Sequence, residues 1–222
     1  MVLQGQGVPT FELSGGAPCL DFANTWGDRE RQETDKLGAY SDLLAFAAQA
    51  ELLAPGDAAG LAARAEAEPW LAAAALGRAR DLREVLYRLF SAVAARRDPA
   101  AADLERFNAA LPEALSHLRL DRRGADYAWT WVPVESPPAA LAVPLWPILR
   151  SAADLLTSAE RQHIRECGGS SCTWLFLDRS RNRSRRWCSM ESCGNRAKAQ
   201  RHYHRRREGG ARLAVKGKQR GK

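Results

Sequence analysis

The chain has 222 residues, 45% of them hydrophobic, which is enough for one large domain or a medium domain joined to a small one and excludes wholesale disorder. The formal net charge of +7 hides a split: residues 159–222 carry 18 Lys/Arg against 5 Asp/Glu, whereas residues 1–158 carry 15 against 21. A neutral-to-acidic domain joined to a polyanion-binding one has this footprint.

The first residues, Met1 to Pro9, are Gly- and Gln-rich and lack the basic and apolar regions of a secretory signal. No uninterrupted apolar run approaches the length of a membrane span. The expected setting is a reducing cytoplasm, where paired cysteines hold metal more often than they form disulfides.

In chain order, residues 10–26 read as short extended segments: Phe11 and Leu13 alternate with Glu12, Ser14–Pro18 makes a turn, and Cys19–Ala23 resumes. A charged loop over 28–36 precedes a helix expected from about Ser41 as N-cap. Pro55-Gly56-Asp57 ends it and opens the next. Residues 57–95 recur in Leu at helical intervals, with Pro69 placed in the first turn of a longer helix. Asp98-Pro99 opens a helix containing Leu104, Phe107 and Leu111.

Period 2 replaces the helical period at 115–134, where Tyr127, Trp129 and Trp131 predict a β-hairpin turning at Asp121–Gly124, with the tryptophans in its core. Ser136-Pro137-Pro138 breaks to a helix with Leu145, Ile148, Leu149, Leu155 and Leu156, starting late or kinked early because of Pro144 and Pro147. Ile164 suits a short strand. The tail after Gly209, rich in Lys, Arg and Gly, is expected to be disordered.

Four of the five cysteines form two Cys-x-x-x-x-Cys pairs, Cys167/Cys172 and Cys188/Cys193, separated by 15 residues. Four soft thiolates suit zinc and close its tetrahedral shell, which disfavours metal hydrolysis. Structural zinc in small fingers contributes roughly 10–16 kcal/mol at neutral pH, so so polar a segment would fold with the metal and not without it. Unliganded thiols, two disulfides or an iron–sulfur cluster are the competing readings. His202 and His204 do not face one centre on a helix and read as surface residues.

Arg179, Arg181, Arg183, Arg185 and Arg186 lie between the pairs, and Arg196, Lys198, Arg201 and Arg205 follow them. On a helix starting near Cys193, positions 198, 201 and 205 share a face suited to phosphate contacts. Asn182, Asn195 and Arg183 have side chains suited to base edges, although Asn195 reads better as bonded to backbone near the metal.

The segments Cys167…Cys172, Trp174–Ser180 and Arg185–Lys198, the last containing Cys193-Gly194-Asn195-Arg196, resemble the CGNR zinc-finger family. Members carry an N-terminal ABATE domain, and Cys19-Leu20-Asp21-Phe22-Ala23-Asn24-Thr25 resembles that domain's opening motif. The resemblance implies an α+β fold: a mostly helical N-terminal domain with a small antiparallel β element, and a small treble-clef-like zinc finger at the C-terminus. It also implies a bacterial, stress-linked transcription regulator.

The expected organisation is an ABATE-like domain over 1–158, a CGNR-type finger over 159–208 and a basic tail over 209–222. The expected partner is nucleic acid, DNA in preference to RNA, with a homodimer natural for duplex recognition. A small-molecule effector is an expected partner of the N-terminal domain, and Asp21, Asn24 and Thr25 are its candidate contacts; the competing reading is that they bond backbone. A protein-interaction role for the zinc module is a further alternative. No catalytic triad, phosphate loop or paired acidic motif points to an enzyme, and His117 stands alone.

Overall fold

A computed structural model describes residues 9–27, 29, 35–132, 134 and 136–203. The N-terminal portion comprises α1 (Pro18–Ala23), α2 (Tyr40–Gln49), α3 (Pro55–Ala67), α4 (Pro69–Ala94), α5 (Ala101–Ser116), the hairpin β1 (Leu118–Arg123) and β2 (Asp126–Trp131), α6 (Pro137–Ala140) and α7 (Trp146–Thr157). The C-terminal portion comprises β3 (Ile164–Glu166), β4 (Leu175–Leu177), a π-type turn (Met190–Gly194) and a helix over 195–203, termed α8. The fold is the expected α+β arrangement, with both sheets two-stranded and antiparallel.

The organising element is α4. Its residues Leu71, Ala72, Ala75, Leu76, Ala79, Leu82, Arg83, Leu86, Leu89 and Phe90 form one buried stripe, the 3.6-residue period of a helix with an apolar face. Helices α1, α2, α3 and α5 pack against it, as do both strands of the second sheet. Pro69 stands in the first turn as expected.

Residues 19–23 differ from expectation: they are helical. Pro18 fixes the first-turn φ, and the Leu20 and Asp21 amides both donate to the Ala17 carbonyl. Cys19, Leu20, Phe22 and Ala23 are all buried, so a fully enclosed single-turn helix produces the continuous apolar run that a buried strand also shows. Helix α2 is not capped by Ser41. The Asp42 carboxylate accepts from the Gly38 and Ala39 amides, both at 2.8 Å, and draws the start back to Tyr40. Helix α5 likewise starts at Ala101 rather than at Pro99.

The β1–β2 hairpin forms in the register Leu118↔Trp131 to Arg123↔Asp126, so its turn is Gly124-Ala125, tighter than expected. Gly124 supplies the required positive φ of 66°, and Thr130 donates to Asp121 at 2.6 Å, keeping Asp121 within the strand. The tryptophans divide. Trp131 is half-buried and tilts against the buried Trp146 at 5.9 Å, whereas Trp129 is 53% exposed.

The Pro-rich break delays α7 as the sequence suggests: a 3-10 turn over Val143–Leu145 precedes it. Among the described residues, Pro138–Thr157 is the one stretch long and apolar enough to cross a membrane. Here it is broken into α6, the 3-10 turn and α7, and its apolar side chains Leu141, Leu145, Trp146, Ile148, Leu149 and Leu155 are buried in the core. The expectations for the tail after Gly209 fall outside the described residues.

Candidate metal centre and nucleic-acid interface

Strands β3 and β4 pair in the register Ile164↔Leu177 to Glu166↔Leu175. Immediately beyond them the Cys167 amide donates to the Trp174 carbonyl at 2.8 Å, closing the loop that carries Cys167 and Cys172. Of the second pair, Cys193 sits on the π-type turn at the head of α8 and Cys188 just before it, where Ser189 accepts from the Ser192 amide and Gly194 donates to the Ser189 carbonyl. The two loops are joined by the Gly168 amide, which donates to Arg186 at 2.8 Å.

These constraints bring the four Sγ atoms within 4.8 Å of one another. The Cys172–Cys188 and Cys188–Cys193 separations are 3.8 and 3.7 Å. A tetrahedron with bonds of roughly 2.3 Å has edges of about 3.8 Å, so the donor set fits zinc. Donors also point at the sulfurs: the Cys188 amide lies 3.3 Å from Cys167 Sγ and an Arg196 Nη 3.6 Å from Cys193 Sγ. A side chain on Gly169 would meet Cys172 Cβ at 3.2 Å and Cys193 Sγ at 3.4 Å, so glycine there leaves the cluster its room.

Electrostatics argue for a cation as well. Hydrogen bonds from Cys172 and Cys188 hold the Cys167 thiol far below its ordinary pKa, and the same contacts with Cys167 push Cys172 and Cys188 up. Four sulfurs this close repel one another as thiolates, and a divalent cation between them relieves that repulsion. The fifth cysteine, Cys19, is fully buried in α1 and raised to about 12 by that burial, an inert apolar residue.

The arginines of the intervening loop are not equivalent. Asp178 is fully buried and accepts from the Ser180 amide and hydroxyl and from the Arg185 amide. Burial alone would raise its pKa, but these hydrogen bonds hold it below the usual carboxylate range. Around that anchor, Arg179 forms a two-bond ion pair with Glu160, both bonds at 2.9 Å, and donates to the Gly16 carbonyl. Arg183, at a positive φ of 50°, donates to the Asp178 carbonyl. Arg185 donates to the carbonyls of Ser14, Trp187 and Cys188 and covers the Phe176 ring at 4.4 Å. Arg181, Arg186, Lys198 and Arg201 are exposed and form no ion pair among the described residues. Arg186 and Arg201 lie over Trp187 at 5.4 and 5.9 Å. Asn182 is exposed, and Asn195 donates to the Glu191 carbonyl, the backbone role expected of it. His202 is exposed on α8; His204 and Arg205 lie outside the described residues.

The N-terminal candidates engage backbone. Asp21 accepts from the Gly15 amide at 2.7 Å, and Thr25 donates to the Phe22 carbonyl at 2.8 Å. Asn24 reaches into the zinc module: its amide donates to the Leu175 carbonyl and its oxygen accepts from the Leu175 amide, both at 2.8 Å. The side chain thus acts as one more strand residue at the edge of β4.

Two arginines that the sequence reading passed over lie beneath this junction. Arg83, 1% exposed, forms a fork with Asp35 at 2.6 and 2.8 Å and reaches Thr25 at 3.3 Å. Arg29 bridges Glu84, the Trp26 and Ala23 carbonyls and Thr173, with its guanidinium 3.6 Å over Tyr87. A signal was present for Arg83, a charge four residues after Ala79 on the buried stripe of α4. None marked Arg29.

Comparison with known families covers both portions. The model of the family described as "Putative stress-induced transcription regulator" (ABATE) matches residues 16–159, and the CGNR zinc-finger model matches residues 163–206. No curated protein matches the chain. Neither description is that of an enzyme family. With more than half of its length matched by the first model, the chain belongs to the ABATE family and carries a CGNR zinc finger at its C-terminal side.

Proposed function

We propose that the protein is a cytoplasmic transcription regulator that binds duplex DNA through its zinc module. The observation that carries this reading is the division among the basic side chains. Arg179, Arg183 and Arg185 are occupied in building the loop, which leaves Arg181, Arg186, Lys198 and Arg201 exposed and unpaired among the described residues, on a scaffold cross-linked by four thiolates. Cations that the fold does not use, displayed on a rigid base, suit a polyanion backbone.

Zinc serves as structure in this reading, because four cysteines leave it no open position.

The test is binding of the zinc-loaded full chain to random duplex DNA and structured RNA pools across a salt series. Four phosphate contacts give a slope of log affinity against log salt near −4. Lys198→Glu with Arg201→Glu should weaken binding and flatten the slope by about two or more. Absence of salt-sensitive duplex binding, or a preference for RNA at equal salt, refutes the proposal.

A further inference from the structure

The zinc module and the β1–β2 hairpin face each other across an open cleft of about 510 Å³, within the range of small-molecule sites. Trp129 and Trp131, two apart on β2 and so on the same face, line one side. The N-terminal turn at Gly16–Pro18 and α7 form the floor, and Arg179 closes the far end from the zinc module.

Three features define what the cleft would accept. Trp129 is 53% exposed although it borders a concave surface, and so offers a flat apolar face to a ligand. The Arg150 guanidinium already lies 4.5 Å over the Trp129 ring; an incoming cation would find that face taken, whereas an anion would find a positioned partner. Among the described residues the one ion pair of Arg150, whose side chain is 24% exposed, is a 3.4 Å i,i+4 contact to Asp154, whose side chain is 67% exposed, and a pair so open on one side is weak enough to exchange for a ligand acid group. At the opposite end Arg179 and Glu160, 56% and 46% exposed, form a second pair open to the same exchange.

We infer that this cleft binds a small planar aromatic molecule bearing a carboxylate or comparable anionic group, with the ring against the β2 indoles and the anion on Arg150. Such a ligand touches the ABATE hairpin and the zinc module at once. The site does not depend on what the zinc module binds, so failure of DNA binding leaves it standing.

The experiment is ligand-observed NMR saturation transfer to 2-naphthoate, titrated against the zinc-loaded full chain, with 2-naphthylmethylamine and hexanoate as cationic and non-aromatic comparators. The expected dissociation constant for 2-naphthoate is on the order of 1 mM, ordinary for so small a probe, with both comparators at least about tenfold weaker. Trp129→Ala and Arg150→Gln should each weaken 2-naphthoate about tenfold; Trp129 is 53% exposed and Arg150 lies at the cleft wall, and unchanged circular dichroism and zinc content confirm that the variants fold. Trp70→Ala, at an exposed tryptophan on α4 outside the cleft, should change nothing. The inference is overturned by no saturable binding of 2-naphthoate, by equal binding of the amine, or by affinity indifferent to Trp129 and Arg150.

Discussion

Replacing Asn24 with alanine tests the junction between the two portions directly. The amide makes two hydrogen bonds of 2.8 Å to the backbone of Leu175; Asn24 is 3% exposed and Leu175 fully buried. Truncation strands one N–H and one C=O where water cannot reach them. At about 1–3 kcal/mol for each stranded group, the expected loss is about 2–6 kcal/mol, a large share of an ordinary domain's stability. Urea unfolding of the zinc-loaded chain followed by far-UV circular dichroism, analysed by linear extrapolation, measures it. Asn24→Asp sharpens the test. An aspartate can still accept from the Leu175 amide, but when ionised it sets a negative oxygen against the Leu175 carbonyl, so burial raises its folded pKa above the unfolded value near 3.9. Proton binding then favours the folded state: the defect should be largest at pH 8 and shrink as pH falls through the raised pKa, because the protonated acid mimics the amide. A loss below about 1 kcal/mol in Asn24→Ala, or a pH-independent defect in Asn24→Asp, would refute the account.

Chelation of zinc should lower the melting temperature of the whole chain rather than of the C-terminal portion alone, because Ile164, Leu175 and Leu177 belong to the main core; calorimetry together with metal analysis checks this. Gly169→Ala, which places a methyl 3.4 Å from Cys193 Sγ, should reduce zinc affinity about tenfold or more in a competition titration. Asp35→Ala removes the two-bond partner of the buried Arg83 guanidinium, and the expected cost is about 3 kcal/mol by chemical denaturation, at the low end for a broken buried pair because Arg83 keeps Glu84 at 3.1 Å and the Asp35 side chain is 29% exposed. Asp21, raised to about 6 chiefly by burial, favours folding in its protonated form. That contribution is complete below the unfolded pKa near 3.9 and is lost as pH rises through about 6. Asp21→Asn should therefore be more stable than the native chain at pH 8, by up to about 2–3 kcal/mol, and the gain should vanish near pH 4.

Legibility in the sequence tracked how local the determining interactions are. The cysteine spacing, the helical period of α4, the Pro69 start and the hairpin all follow from residues close in sequence, and they appear where expected. The Cys19–Ala23 helix was hidden because a fully buried turn and a buried strand share one apolar pattern, and only Pro18 distinguishes them. Trp129 read as core because period 2 places it on one face with Trp131 but does not say how far along the hairpin the rest of the protein reaches; only the inner end at Trp131 meets Trp146. Least legible were the long-range pairings. Nothing near Asn24 indicates that its amide will bond a residue 151 positions away, and the loop arginines look alike until Asp178, Glu160 and the carbonyls of Ser14 and Gly16 assign some of them partners.

Those pairings converge on one segment. Ser14 accepts from Arg185, Gly15 accepts from the Leu177 amide, Gly16 accepts from Arg179, and Asn24 pairs with Leu175, so residues 14–24 contact the zinc module at four points. The Gly15 amide is in turn fixed by Asp21, and a side chain on Gly15 would lie 2.9 Å from that carboxylate. Residues 14–24 thus form a docking strip for the finger, to which the opening motif contributes Asn24 directly and Asp21 through the Gly15 amide. It also constrains how the chain could transmit a signal. A finger tethered by a flexible linker would respond to events in the helical domain only through proximity, whereas this one shares a core and a set of hydrogen bonds with it. Arg179 and Arg185 are the finger side chains bonded to that strip. Those two residues hold the loop that displays Arg181 and Arg186, so the arginines used for attachment control the position of the arginines left free.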